Sequence, residues 1–176
     1  EEDWEEPTAE EAGIESVDGK NNNRKLIKRY YLSLETREYD KLVDYIQQAV
    51  TASGGYVESS NLSGTSIDGN GAREAYFVLR IPVSDADSFV KGLETNGHVT
   101  NKTENVEDVT LDYVDTESHV EALRIEQETL LGMLEQVDEL EEILILQNRL
   151  TEVRYELERY ESQLRSYDNL VEYTTV

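Results

Sequence analysis

Between residues 113 and 167, apolar residues recur at spacings of three and four, but in two registers that one continuous helix cannot hold. The first places Tyr113, Val120, Gln127 and Leu134 at heptad position a, with Thr116, Leu123, Leu130 and Val137 at d. The second places Ile143, Leu150, Leu157 and Leu164 at a, with Leu146, Val153, Tyr160 and Tyr167 at d. The step from Val137 to Ile143 is longer than the four residues that separate a d from the next a, so the chain must break near Asp138-Glu139. The pattern predicts a long antiparallel coiled-coil helical hairpin over residues 110–168. Arms of about 25 to 28 residues, rising about 1.5 Å each, project roughly 40 Å. Antiparallel pairing sets Gln127 against Leu150 and Val120 against Leu157. Gln127 is then the polar position in the middle of an apolar seam. It either fixes register or meets a partner, or it is a polar residue tolerated in a wet layer.

Upstream of the heptads the period changes. Leu26, Tyr30, Leu32 and Leu34 alternate with Ile27, Arg29, Tyr31, Ser33 and Glu35, as in a half-buried strand. Tyr39, Leu42, Val43, Ile46, Ala49 and Val50 follow at helical spacing, and Gly54-Gly55 ends that helix. Tyr56 to about Thr65 is a serine-rich strand, Asp68-Gly69-Asn70-Gly71 a hairpin turn, and Phe77, Leu79 and Ile81 line one face of a third strand stopped by Pro82. Ser84 with Asp87 resembles a capping box for a short helix burying Phe89, Val90 and Leu93, closed by Gly97. A polar fourth strand runs from Val99 to about Asp108. Strand, helix, strand, strand, helix, strand is the order of the ferredoxin-like βαββαβ sandwich, in which two helices cover one face of an antiparallel sheet. After the hairpin, Val171, Tyr173 and Thr175 alternate with Glu172 and Thr174, so residues 169–176 read as a last strand returning to the sheet. The expected class is α+β, with the sandwich built from residues 24–109 and 169–176 and the hairpin inserted before the last strand.

Charge divides along the same boundaries. Of the net −23, residues 1–23 carry nine acids against one Lys, whereas residues 24–109 carry thirteen acids against ten bases. Residues 110–170 carry sixteen acids against five Arg. Residues 1–23 hold too little apolar surface to offset ordering entropy and read as a disordered acidic linker, with Trp4 either a docking residue or part of the solvated tail. The only basic run is Arg24, Lys25, Lys28 and Arg29, too little to neutralise phosphates, so nucleic acid is not an expected partner. No apolar run approaches the ~20 residues that cross a bilayer. The absence of Cys excludes disulfides, thiolate zinc sites and Cys nucleophiles. A chain that starts at Glu1 and stops inside an alternating pattern is expected to be a trimmed or processed product, with an anchor outside it.

Six stretches, in order, resemble the bacterial family catalogued as domain of unknown function 4349. They are Arg24-Lys25-Leu26-Ile27, then Ser53-Gly54-Gly55-Tyr56-Val57-Glu58-Ser59-Ser60, Leu79-Arg80-Ile81-Pro82 and Gly97-His98-Val99. Asp108-Val109-Thr110 with Tyr113-Val114-Asp115 follows, and the last is Leu164-Arg165-Ser166-Tyr167-Asp168-Asn169 with Tyr173-Thr174-Thr175-Val176. The resemblance covers about residues 24–176. It implies an envelope protein with a signal or lipoprotein leader, an acidic linker, this domain outside the cytoplasmic membrane and often a membrane helix after the last strand. It implies no activity. His119 stands where family members commonly have Arg.

Candidate chemistry is sparse. His98 and His119 are the only imidazoles, and an acid and base pair would need a carboxylate orienter and a pocket around them. There is no nucleophile elbow, P-loop, dinucleotide fingerprint or two-His zinc spacing, and no cofactor is implied. The turn at Asp68 lacks the closing Glu of a calcium loop. Glu135, Asp138, Glu139, Glu141 and Glu142 gather at the predicted hairpin tip, where they either recruit cations or a basic partner or form a solvated face. Glu141 and Glu142 also suit the first turn of a helix. Asp112 and Asp115 flank Tyr113 where sheet gives way to helix, and helix-start electrostatics is the plainer role for them.

The expected function is a non-catalytic, membrane-anchored, extracytoplasmic interaction module of a bacterial envelope protein. Its hairpin, or an open sheet edge, would contact another envelope protein or a second copy. The alternative is an envelope ligand sensor that binds a cell-wall fragment or a cation and uses the hairpin as transmitter.

Overall fold

A computed structural model describes residues 24–64 and 73–176. The expected linker at residues 1–23, with Trp4, and the turn at Asp68 to Gly71 lie outside the described residues. The chain forms an α+β domain with five strands and four helices: β1 (Leu26–Glu35), α1 (Tyr39–Ala52), β2 (Tyr56–Gly64), β3 (Arg73–Pro82), α2 (Ala86–Asn96), β4 (His98–Asp108), α3 (Thr110–Leu134), α4 (Leu140–Glu172) and β5 (Tyr173–Thr175).

All five strands make one sheet in the order β2-β3-β5-β1-β4. Neighbouring strands are antiparallel except β1 and β5, which run parallel, so the sheet is mixed rather than wholly antiparallel. The parallel pair arises because β5 enters from the end of α4 beside the start of β1.

Helices α1 and α2 supply the second layer over one sheet face. Leu42, Ile46 and Val50 of α1 and Phe89, Val90 and Leu93 of α2 bury against Tyr30, Leu79 and Ile81. Each such side chain contributes roughly 1.5–3 kcal/mol on full burial. The turn from α1 into β2 depends on two glycines for different reasons. Gly54 adopts φ +70°, which ends the helix, and a Cβ on Gly55 would strike the carbonyl oxygen of Arg80 in β3.

Three local expectations are corrected. The capping box does not form: the Ser84 hydroxyl donates to Asp85 at 2.9 Å, and Asp87 instead accepts from the Tyr30 hydroxyl. Ile27, assigned to the outer face of its strand, is 2% exposed. It lies where β1 meets the start of α3, since Val109 donates its amide to the Lys25 carbonyl, and α4 also touches β1 there. The last strand is Tyr173–Thr175 and the helical part runs on to Glu172 rather than ending at residue 168. Val171 alternates with Tyr173, but it also falls one heptad after Leu164, and the helical period prevails.

A second, separate core lies between α3 and α4, where Leu123, Leu130, Leu150 and Val153 are buried and Leu134, Leu146, Leu157 and Tyr160 pack around them. The two helices run side by side in opposite directions: Tyr113 meets Asp168 near the sheet, His119 stacks on Tyr160, and Glu126 pairs with Arg149 farther out. Every a and d position assigned above is buried or half-buried. With 33 residues, α4 is about 50 Å long.

Candidate functional site

The base of the helix pair is locked to the sheet by a compact polar cluster. Asp108 accepts from the amide and the hydroxyl of Thr110, while the Thr110 hydroxyl oxygen accepts the Lys25 amide at 2.9 Å. The Thr110 bonds, side chain first, hold the Asp108 carboxyl below the usual carboxylate range. One turn on, Tyr113 donates to Asp168 at 2.8 Å, takes the Lys25 ammonium 4.1 Å above its ring, and packs against Tyr167. The bond to Asp168, followed by burial, raises the Tyr113 phenol above its ordinary value. Lys25, Asp108, Thr110, Tyr113, Tyr167 and Asp168 therefore act as one latch between β1, β4 and both long helices. The partnership of Tyr113 with Asp168 was not foreseen from sequence, although antiparallel pairing of the two registers would have brought them close.

Asp112 and Asp115 point to solvent and make no ion pair among the described residues, so the two acids flanking Tyr113 are not joined to the latch through their carboxylates. The two histidines are not brought together. His98 pairs with Glu35 at the end of the sheet where β1 finishes, and His119 is exposed on α3 with its ring 4.9 Å from that of Tyr160.

At the far end of the helix pair, Glu135, Asp138, Glu139, Glu141 and Glu142 are all exposed. Glu135 follows α3, Asp138 and Glu139 lie in the connection, and Glu141 and Glu142 occupy the first turn of α4. No group of three or more acidic or imidazole side chains converges as a metal site among the described residues. The acids share this end with exposed apolar side chains that sequence reasoning did not single out: Leu131, Met133, Leu140, Leu144 and Ile145, between 41% and 73% exposed. All five lie off the a and d positions, and apolar residues outside a helical seam were the available signal. Gln127 is half-buried in the layer of Leu150, beside the Glu126 to Arg149 ion pair, and its side chain makes no hydrogen bond among the described residues.

Cavities are shallow. Two adjoining grooves of about 450 and 460 Å³ follow α1, one along Asp44, Gln47 and Thr51, the other reaching Asp85, Ser88 and Phe89 of the α2 region. Neither contains a histidine or a convergent set of nucleophile and base.

Sheet, latch and projecting helices define an α+β domain with two cores. The chain belongs to the family described as domain of unknown function DUF4349, whose model matches residues 24–176. No curated protein matches the chain. No solved structure matches it. Among the described helices none is long and apolar enough to cross a membrane.

Proposed function

We propose that this domain is a non-catalytic interaction module of a bacterial envelope protein, held at the outer face of the cell membrane by an anchor outside the sequence, as a lipoprotein or through a membrane helix. Its sheet is best read as a ferredoxin-like sandwich, order β4-β1-β3-β2, with β5 wedged between β1 and β3, and its long helices as an antiparallel coiled coil. The burial pattern of the heptad positions supports the second reading.

The observation that carries the functional proposal is the far end of α3 and α4, where five exposed apolar side chains sit among five exposed acids. Apolar residues off a helical seam add nothing to the pair's own core, and an apolar patch rimmed by charge is a surface suited to another protein. The acids at the same end favour a partner that offers basic residues beside an apolar surface, or a second copy bound through the apolar side chains alone.

A photo-crosslinking residue placed at Leu144 in cells should give a discrete adduct. The same residue at Tyr155, midway along α4, should not. Leu140→Ser with Ile145→Ser should abolish the adduct while the helical circular dichroism is retained. Absence of any adduct at Leu144, or an adduct indifferent to these changes, would overturn the proposal. The α1 grooves favour the sensor alternative, in which a saturable rise in melting temperature with muropeptides, polyamines or calcium would be seen and lost on Asp44→Ala with Gln48→Ala.

A further inference from the structure

The two outer edges of the sheet differ. β4, at one edge, carries Lys102, Glu104, Glu107 and Asp108, and Thr100 is an extra residue opposite the step from Ser33 to Leu34. Charges and bulges of this kind keep an edge strand from recruiting chain. β2, at the other edge, is paired only with β3 among the described residues, and all nine of its residues are exposed. Its own extra residue, Glu58, lies near its start and is held by Arg80 at 2.9 Å. From Ser59 to Gly64 it has no charge, no bulge and no proline.

The backbone groups along this run can be assigned. Leu79 exchanges both of its backbone bonds with Val176, at 2.8 and 2.9 Å, so antiparallel alternation turns those of Val78, Tyr76 and Glu74 toward β2. Their partners there are Ser59, Asn61 and Ser63. Ser60, Leu62 and Gly64 therefore turn their donors and acceptors outward, and such a row is a template for one more strand.

We propose that β2 pairs with β2 of a second copy, antiparallel about a twofold axis at Asn61, so that the two sheets become one. Ser60 then exchanges backbone bonds with Leu62 of the second copy, and Ser59 faces Ser63 of the second copy. Charge makes a second copy the occupant. A chain with a net charge of −23 repels its own kind over much of its surface, whereas this uncharged run lets two copies meet without opposed like charges. Glu58 falls opposite Gly64 and stays on Arg80.

The helix layer fits the same axis. α1 lies over β2 and β3. With strands about 4.8 Å apart, the twofold brings the two α1 helices to about 10 Å, an ordinary packing distance. Tyr45, Ala49 and Ala52 line the groove on the α2 side, so helical spacing puts Val43 and Gln47 on the flank that meets its copy. Asp40, on that flank too, is held at both carboxylate oxygens by Arg73. The inference is independent of the role assigned to the far end of the long helices.

In sedimentation velocity the full 176-residue chain should form a dimer that dissociates on dilution. Ser60→Lys with Leu62→Lys sets like charges opposite one another across the axis and should leave only monomer, with unchanged circular dichroism. Ser60→Glu with Leu62→Lys sets opposite charges there and should restore the dimer. Because the chain has no cysteine, Asn61→Cys reports the register: its two copies fall on a closely spaced pair and should link in air about tenfold or more faster than those of Thr103→Cys on β4. Leu140→Ser with Ile145→Ser, which removes apolar surface at the far end of the helices, should leave the dimer intact. A chain that is monomeric at every concentration overturns the proposal. So does a dimer that survives both lysines, fails to return with the Glu and Lys pair, or is lost with Leu140→Ser and Ile145→Ser, and so does equal crosslinking of Asn61→Cys and Thr103→Cys.

Discussion

Thr174 is fully enclosed in the middle of the sheet, and its hydroxyl has no partner among the described residues. Its backbone is matched to Ile81 of β3, and its neighbour Thr175 to Arg80 of β3 and Arg29 of β1, so the cost of the lone hydroxyl falls on stability rather than on register. Thr174→Val keeps the shape and removes a desolvated polar group, and should stabilise the domain by about 1 kcal/mol in urea denaturation. A loss of stability would mean that the hydroxyl is bonded in solution. Tyr30 is the opposite case, a buried phenol with one proton and two acceptors, Asp87 at 2.7 Å and Glu104 at 3.1 Å. Burial first, then these two bonds, raise the phenol above its ordinary value, and the bond from Tyr30 holds the Asp87 carboxyl below the usual range, aided by Lys28, Lys91 and Lys102. A depressed Asp87 contributes stability that is present above the ordinary carboxylate value of about 4 and lost as the pH falls. A raised Tyr30 contributes stability that is present below about 10 and lost as the pH rises. Tyr30→Phe should therefore lower stability by a constant amount between about pH 5 and 9, with the gap closing at either extreme. Denaturation midpoints taken near pH 3, 7 and 11 check this, and a gap that does not vary with pH would mean that the hydroxyl is not coupled to either titration.

At the scale of elements, α1 and α2 are set at their separation by Gly92, whose missing Cβ leaves room for the Tyr45 hydroxyl. Alanine there gains helix propensity of about 1 kcal/mol but meets that hydroxyl. Gly92→Ala should be neutral or destabilising in the native background and stabilising with Tyr45→Phe, a coupling that a double-mutant cycle measures directly. Element positions are largely legible in the sequence, because β1, β3 and both long helices have distinct periods and breakers such as Gly54-Gly55 separate the elements. The short β5 was not, since Val171 satisfies strand alternation and heptad spacing at once, and α4 runs on through it to Glu172. Ile27 misled for a related reason: alternation reports that one face is buried, not that a second element covers the end of the other. For the candidate site, the acids were visible as a run, whereas Leu131, Met133, Leu140, Leu144 and Ile145 were hidden behind a seam that accounts for other apolar residues so well.

At the scale of the molecule, most of the acid excess of the described chain lies on the long helices, while the two cores beneath are separate and apolar. The latch around Tyr113 is what makes them one object, and it ties the beginning of β1 to both helices. The central position of β5 has a further consequence, one of timing. Among the described residues, β1 with β4 and β2 with β3 form two ribbons whose only shared neighbour is β5, which follows the other described elements in sequence. During synthesis the ribbons and the helix pair can each form as soon as their own residues emerge, yet the ribbons wait for residues 173–175 before they can be bridged. Until then the inner edges of β1 and β3 stay unbridged, for as long as the ribosome takes to make the whole of α3 and α4.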